Sequence, residues 1–171
     1  TGELAHWWPQ LLPDRRHVLF TAYRAPIERS TIEVLDLATG TRRVVLQNGV
    51  MPRYAASGHL LFAREASILA VPFDPGKLAV TGAPVVVVDD VAMNYSDGFA
   101  AYDVSPSGTL VVMPTSVAGS RVQVAEVNRR GNAKLLLASP QRYDTPRYAP
   151  DLRRISVDIT PDRGARDVWV M

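Results

Sequence analysis

Short apolar runs separated by turn-forming residues set the pattern of this chain, and none holds a 3.6-residue period over three turns. The stretch Thr31-Ile32-Glu33-Val34-Leu35-Asp36-Leu37 alternates, sending Ile32 and Val34 to one face and Glu33 and Asp36 to the other. That is the period of a half-buried strand. His17-Val18-Leu19-Phe20-Thr21-Ala22, Leu60-Leu61-Phe62, Val85-Val86-Val87-Val88 and Leu110-Val111-Val112 are further strand candidates, rich in β-branched residues that suit a pleated, packed surface. Thirteen Pro and eleven Gly break the chain between these runs. The pattern predicts an all-β fold with almost no helix.

The strands recur in an ordered series. Pro52-Arg53-Tyr54-Ala55 returns letter for letter as Pro146-Arg147-Tyr148-Ala149, each copy followed by a turn and an apolar run. Weaker copies precede Val18-Leu19-Phe20 and Leu110-Val111-Val112, and Pro13, Ala56, Pro106 and Pro150 mark equivalent places in the four copies. A period of roughly 40–50 residues built of short strands is the sequence signature of propeller blades. The repeats fall at about 6–49, 50–98, 99–143 and 144–171 of the sequence. They predict a single β-propeller segment of four-stranded antiparallel blades, three full blades and a partial fourth.

In the second repeat strands are expected at 52–54, 59–62, 67–73 and 85–88, with a long hairpin loop at Asp74-Pro75-Gly76-Lys77. The third should use 100–104, 109–113, 122–127 and 135–137, and the fourth 147–149, 154–159 and 167–171, its outer strand missing. A β-sandwich would show similar strands and turns and is the alternative; the four-beat repeat favours the propeller.

Composition narrows the function classes. With 171 residues, 47% hydrophobic and 21% charged, the chain is long enough and apolar enough for a sizeable core. A net charge of +2 gives no ground for nucleic-acid binding, and the absence of Cys removes disulfides and thiolate metal sites. No run approaches the roughly 18–20 apolar residues that span a bilayer. Thr1-Gly2-Glu3-Leu4-Ala5-His6 has no signal-peptide pattern, and 167–171 stops inside a strand pattern, so the chain reads as a piece of a longer protein.

Pro146-Arg147-Tyr148-Ala149-Pro150-Asp151, Ser105-Pro106-Ser107-Gly108, Asp167-Val168-Trp169-Val170 and Ile32-Glu33-Val34-Leu35-Asp36-Leu37 resemble the TolB-type, WD-like β-propeller repeat of bacterial proteins. Val71-Pro72-Phe73-Asp74, Thr81-Gly82-Ala83-Pro84 and Gly108-Thr109-Leu110-Val111 are similar to propeller segments that follow bacterial serine/threonine kinase domains. Arg15 and Leu152 depart from the pattern by standing where it has a turn glycine. The resemblance implies a ring of six to eight blades, often extracytoplasmic, that binds proteins or small ligands. No kinase motif is present, so kinase activity does not carry over.

A search for chemistry finds little. His6, His17 and His59 lack ligand spacing, and the acidic pair Asp89-Asp90 ends a Val run without a calcium-loop pattern, so neither metal nor cofactor is expected. No Gly-x-Ser-x-Gly elbow is present, and no catalytic residue is assigned. Four arginine pairs, Arg15-Arg16, Arg42-Arg43, Arg129-Arg130 and Arg153-Arg154, occupy different beats of the repeat and read as solvated turns.

Arg53, Tyr54, Arg147 and Tyr148 stand at the same place in two blades, at the entrance to an inner strand. They are candidates for a binding site at the channel mouth, where Arg offers a planar donor fork to an acidic group; a repeated packing device is the plainer reading. Val168, Trp169 and Val170 are the candidate self-association edge. An open ring would also bare two apolar blade faces, so a homo-oligomer, a dimer completing the ring, is expected. The function expected is a non-catalytic binding or interaction scaffold. The alternatives are the gating propeller of a prolyl-oligopeptidase-type serine peptidase and a repeat fragment that only self-assembles.

Overall fold

A computed structural model describes residues 2–105, 107–115, 122–160 and 165–171. Pro106, one of the four repeat anchors, lies outside them. The first sheet is β1 (Ala5–Leu11), β2 (His17–Tyr23), β3 (Thr31–Asp36) and β4 (Arg42–Gln47), antiparallel and paired in chain order, with one 3-10 turn at Ile27–Arg29. The second is β5 (Val50–Ala55), β6 (His59–Arg64) and β7 (Ser67–Asp74), whose far end pairs β8 (Ala79–Val80) and whose near end pairs β9 (Val85–Val88). A small hairpin, β10 (Met93–Asn94) and β11 (Phe99–Ala100), leads into the third sheet.

The third sheet comprises β12 (Tyr102–Val104), β13 (Leu110–Val112), β14 (Val122–Val127) and the first half of β15 (Ala133–Tyr148). The second half of β15 then pairs β16 (Ile155–Thr160), which pairs β17 (Asp167–Val170). The break expected near residue 143 is absent: one strand is the outer strand of the third sheet and the inner strand of the fourth. Among the described residues the fourth sheet has three strands, the second half of β15, β16 and β17.

The core lies between sheets. Leu12, Leu19, Ile32, Val34 and Leu46 of the first sheet meet Leu60, Phe62, Leu69, Val71 and Phe73 of the second. From the opposite face of that sheet, Val50, Met51, Leu61, Ala63 and Ile68 meet Tyr102, Leu110, Val112 and Val127 of the third. Val111, Met113, Val122 and Val124 of the third meet Tyr143, Ile155 and Val157 of the fourth. A strand buried on both faces reads as an unbroken apolar run, which is why Leu60-Leu61-Phe62 does not alternate. Full burial of one such side chain stabilises by about 1.5–3 kcal/mol. The inner strands β1, β5, β12 and β15 contact one another in series. The sheets thus stack side by side about an axis, as blades do, and not face to face as two layers.

The repeated turns are alike in backbone. The N–H groups of Arg15, Gly58, Gly108 and Leu152 donate to the carbonyls of Leu12, Ala55, Ser105 and Ala149 at 2.9, 3.0, 2.9 and 2.9 Å. All four residues are left-handed, with φ of 56°, 78°, 85° and 58°. Arg15 and Leu152 adopt the glycine conformation despite their side chains. Asp14 Oδ1, accepting from Arg16 N–H at 2.9 Å, and Asp151 Oδ1, accepting from Arg153 N–H at 3.0 Å, support those two turns.

The two terminal faces mix apolar with polar and charged side chains. On the first sheet, Phe20 lies under the Arg42 guanidinium, 5.1 Å from the ring centroid. Glu33, only 4% exposed, accepts from Arg42 and from Thr31. The outer face of the fourth sheet carries Ser156 and Asp158. Pairing shows what changed: Leu19, Leu61 and Val111 sit opposite Gln10, Arg53 and Asp103, whereas Ser156 sits opposite Arg147. Two residues on, Asp158 replaces Thr21, Ala63 and Met113. Along β17, Val168, Trp169 and Val170 are 64%, 55% and 61% exposed.

Candidate functional site

Each inner strand carries an irregularity at the same place. Trp8, Met51 and Thr145 are left-handed, with φ of 56°, 52° and 43°, and the pairing of β1, β5 and β15 slips by a bulge at each. In the third repeat the inner strand is interrupted at the equivalent Ala101, between β11 and β12. A bulge twists a strand and re-aims the side chains after it. Two residues beyond stand Gln10, Arg53, Asp103 and Arg147, one from each sheet.

These four side chains reach along the series of inner strands. Gln10 Oε1 accepts the backbone N–H of Tyr54 in the next sheet at 2.6 Å. Asp103 Oδ2 accepts that of Tyr148 at 3.4 Å, and Asp103 Oδ1 lies 3.4 Å from Arg53 Nε. Arg53 is 8% exposed, and its Nη1 donates to the carbonyl of Pro52 at 2.9 Å. Arg147 repeats this last contact with the carbonyl of Pro146 at 3.1 Å. It forms no ion pair among the described residues. Burial, and after it the like charge of Arg53, pulls its pKa below the usual arginine value. Arginine stays protonated in proteins, so within the row Arg53 and Arg147 outnumber Asp103 by one charge, while the nearby carboxylates of Asp103 and Asp158 act on Arg147 in the opposite sense to burial.

The four residues singled out from the sequence divide into two kinds. Arg53 and Arg147 belong to the axial row. Tyr54 and Tyr148 contribute their backbone N–H groups to it, while their rings turn into the cores between sheets, Tyr54 edge-on to Phe73 at 6.0 Å. The Tyr148 hydroxyl is buried without a hydrogen-bond partner among the described residues, and desolvation pushes its pKa up to about 12. Gln10 and Asp103 were missed. Their signal was positional: each stands where Arg53 and Arg147 stand relative to the repeated turn.

The remaining polar groups serve the scaffold. His17 Nδ1 is 2.6 Å from Asp14 Oδ2, and His59 Nδ1 is 3.2 Å from Ser57 Oγ. Asp89 Oδ1 accepts from Ser67 Oγ at 2.7 Å. The arginine pairs are tied into the protein: Arg16 to Asp36, Arg42 to Glu3 and Glu33, Arg43 to the Lys77 and Leu78 carbonyls, Arg129 to the Ser107 carbonyl, Arg154 to Asp151. No cluster of three or more His, Asp or Glu with metal-binding geometry occurs among the described residues.

No family model and no curated protein matches the sequence. Solved structures do match the fold. TolB from Acinetobacter baumannii superposes with a TM-score of 0.73 over 97% of this chain and 40% of that one, at 18% identity. The β-propeller domain of the Trilobed protease from Pyrococcus furiosus, described as having an open velcro topology, gives 0.59 over 97% and 53%, at 14%. A gluconolactonase from Xanthomonas campestris gives 0.63 over 95% and 57%, at 13%. The chain therefore spans between two fifths and three fifths of the length of these structures. Its sheets, repeated turns and stacked inner strands have the fold of a TolB-type β-propeller.

Proposed function

We propose that this chain is a non-catalytic binding scaffold, and that its axial row takes up an anionic group at Arg147 and Arg53. The observation that carries the reading is the uneven charge of the row: two guanidiniums held by the same Pro-Arg backbone contact, with one carboxylate between them. A charged group removed from water without a partner is costly, and an incoming carboxylate relieves that cost while using the planar donor fork. The bulges at Trp8, Met51 and Thr145 fix the direction of the side chains in advance, so little ordering is needed on binding.

The test is a titration with N-acetylaspartate N-methylamide, following the guanidinium Nε–H signals by NMR. The Arg147 signal should shift with millimolar affinity, and Arg147→Ala should remove that response. Equal binding by the wild type and Arg147→Ala, or no binding, overturns the assignment. Ester and peptide substrates should show no turnover above background; turnover abolished by a serine substitution would overturn the non-catalytic part.

A second reading concerns association of the chain with itself. The exposed apolar residues Val168 and Val170 on the unpaired edge of β17 favour strand-to-strand pairing of two copies. The polar Ser156 and Asp158 on the same sheet favour the edge over the face as the place of contact.

A further inference from the structure

The Pro-Arg-Tyr-Ala sequence occurs twice, and among the described residues only its first copy has its arginine in an ion pair. Around Arg53 the next inner strand delivers two consecutive groups. The Tyr102 hydroxyl donates to the carbonyl of Met51 at the bulge, and the Asp103 carboxylate meets Arg53 Nε at 3.4 Å. Arg147 is the same residue in the same tetrapeptide. Its guanidinium makes the same contact with the preceding proline carbonyl, and Thr145 stands at its bulge as Met51 does at the first. Arg53 sits opposite Leu61, which packs toward the third sheet, and Arg147 sits opposite Ser156, on the face no sheet of the described residues covers. The first copy is thus a template for what the second lacks.

We infer that the outer face of the fourth sheet receives an extended segment of a partner chain that presents a tyrosine followed by an aspartate, the carboxylate going to Arg147 and the hydroxyl to the bulge at Thr145. The inference rests on the reading of Arg147 as an anion receptor and adds the nature of the ligand. The face suits such a partner. Ser156 and Asp158 stand where the second and third sheets offer Leu61 with Ala63 and Val111 with Met113, and Asp158, opposite Val168 in the ladder, is held by Thr145 and Arg166. A second copy fits poorly through its own first strand. Pro9 and Gln10 stand there at the places of Tyr102 and Asp103, supplying neither hydroxyl nor carboxylate, and Gln10 Oε1 is already engaged by Tyr54.

The experiment uses the whole chain and a fluorescein-labelled peptide copying residues 100–105 (Ala-Ala-Tyr-Asp-Val-Ser, blocked at both ends), read by anisotropy. The peptide should bind, and its Asp→Asn form should bind about tenfold more weakly, as expected for loss of a charge-assisted, forked contact. Arg147→Lys should weaken the Asp peptide and leave the Asn peptide unchanged. Asp and Asn peptides that bind alike, or insensitivity to Arg147→Lys, would overturn the inference. Binding of N-acetylaspartate N-methylamide without binding of the peptide would overturn it while leaving the anion-receptor reading intact, and binding of neither would remove both. A peptide copying residues 7–12 that binds as tightly as the Asp peptide would identify a second copy as the occupant and would also overturn it.

Discussion

The Tyr102 hydroxyl donates to the backbone carbonyl of Met51, joining the inner strand of the third sheet to the bulge of the second. Met51 is bound from the other side too, its N–H donating to Thr21 Oγ1 of the first sheet at 2.9 Å. One left-handed residue is therefore held by both neighbouring sheets, and buried polar groups at such a place are costly to leave unpaired. Tyr102 is fully buried, and desolvation raises its pKa well above the ordinary tyrosine value. Tyr102→Phe should cost about 1–3 kcal/mol, because it strands the Met51 carbonyl without creating a cavity. Urea unfolding checks this; a change within about 0.5 kcal/mol would mean that the hydroxyl is not needed.

Asp103 answers Arg53 across the same interface, with side-chain exposures of 14% and 9%. Removing one member of so enclosed a pair leaves a buried charge. Asp103→Asn should therefore destabilise by about 3 kcal/mol, at the low end for such pairs since some solvent reaches this one. Replacing both, with Arg53→Met and Asp103→Leu, should cost less than the two single changes added together. A double-mutant cycle in urea decides it, and strict additivity would show the two charges to be uncoupled.

Much of the fold was legible because the repeat sets strand, turn and strand at a fixed period, and because buried strands announce themselves as apolar runs. What escaped had no local signal. The bulges at Trp8, Met51 and Thr145 carry no glycine, since neighbouring sheets hold the strained backbone and the sequence around it looks like ordinary strand. The continuity of β15 was hidden by Pro140 and Pro146, which read as breaks, though proline is tolerated where a strand bulges or changes partner. Ser156 and Asp158 on the outer face of the fourth sheet were not singled out, because the strand pattern of 154–159 says which residues alternate, not which face is covered. Arg53 and Arg147 stood out as a repeated word; Gln10 and Asp103, same position in different letters, needed the register.

Leu152 and Arg15 test the repeated turn. Both hold a left-handed backbone that glycine holds at the equivalent Gly58 and Gly108. Leu152→Gly should raise stability by about 0.5 kcal/mol, the relief of the αL strain outweighing the added freedom of the unfolded chain. Arg15→Gly should act in the same direction. Paired thermal melts are sufficient, and a loss of stability on Leu152→Gly would show that the leucine side chain contributes more by packing than its backbone loses.

Acid should loosen the first sheet. Glu3 has its pKa lowered to about 2, by its hydrogen bond with His6 first and that with Arg42 next. Asp14 is lowered to about 2, chiefly by its hydrogen bond with His17. A carboxylate with a folded pKa below its unfolded value stabilises at pH above the unfolded value, and the contribution is lost as pH falls through the folded one. Stability should therefore decline from about pH 4.5 to pH 2. Glu3→Gln combined with Asp14→Asn should flatten that decline, and an unchanged acid limb in the double variant would place the sensitive carboxylates elsewhere.

The exposed edge of β17 makes the last prediction. Its outward hydrogen-bonding groups face no strand among the described residues, and Val168, Trp169 and Val170 are all more than half exposed. Trp169 sits opposite Val157 in the ladder, whereas Val168 and Val170 sit opposite Asp158 and Ser156. Lysine at a strand edge opposes pairing with another chain at little cost to the strand itself. If two copies join along this edge, light scattering should show a concentration-dependent mass, and Val168→Lys with Val170→Lys should return it to that of one chain without lowering the melting temperature by more than a few degrees. Association that survives both lysines would move the contact to the Arg42-covered face of the first sheet, and a single-chain mass at every concentration would show that the edge does not pair.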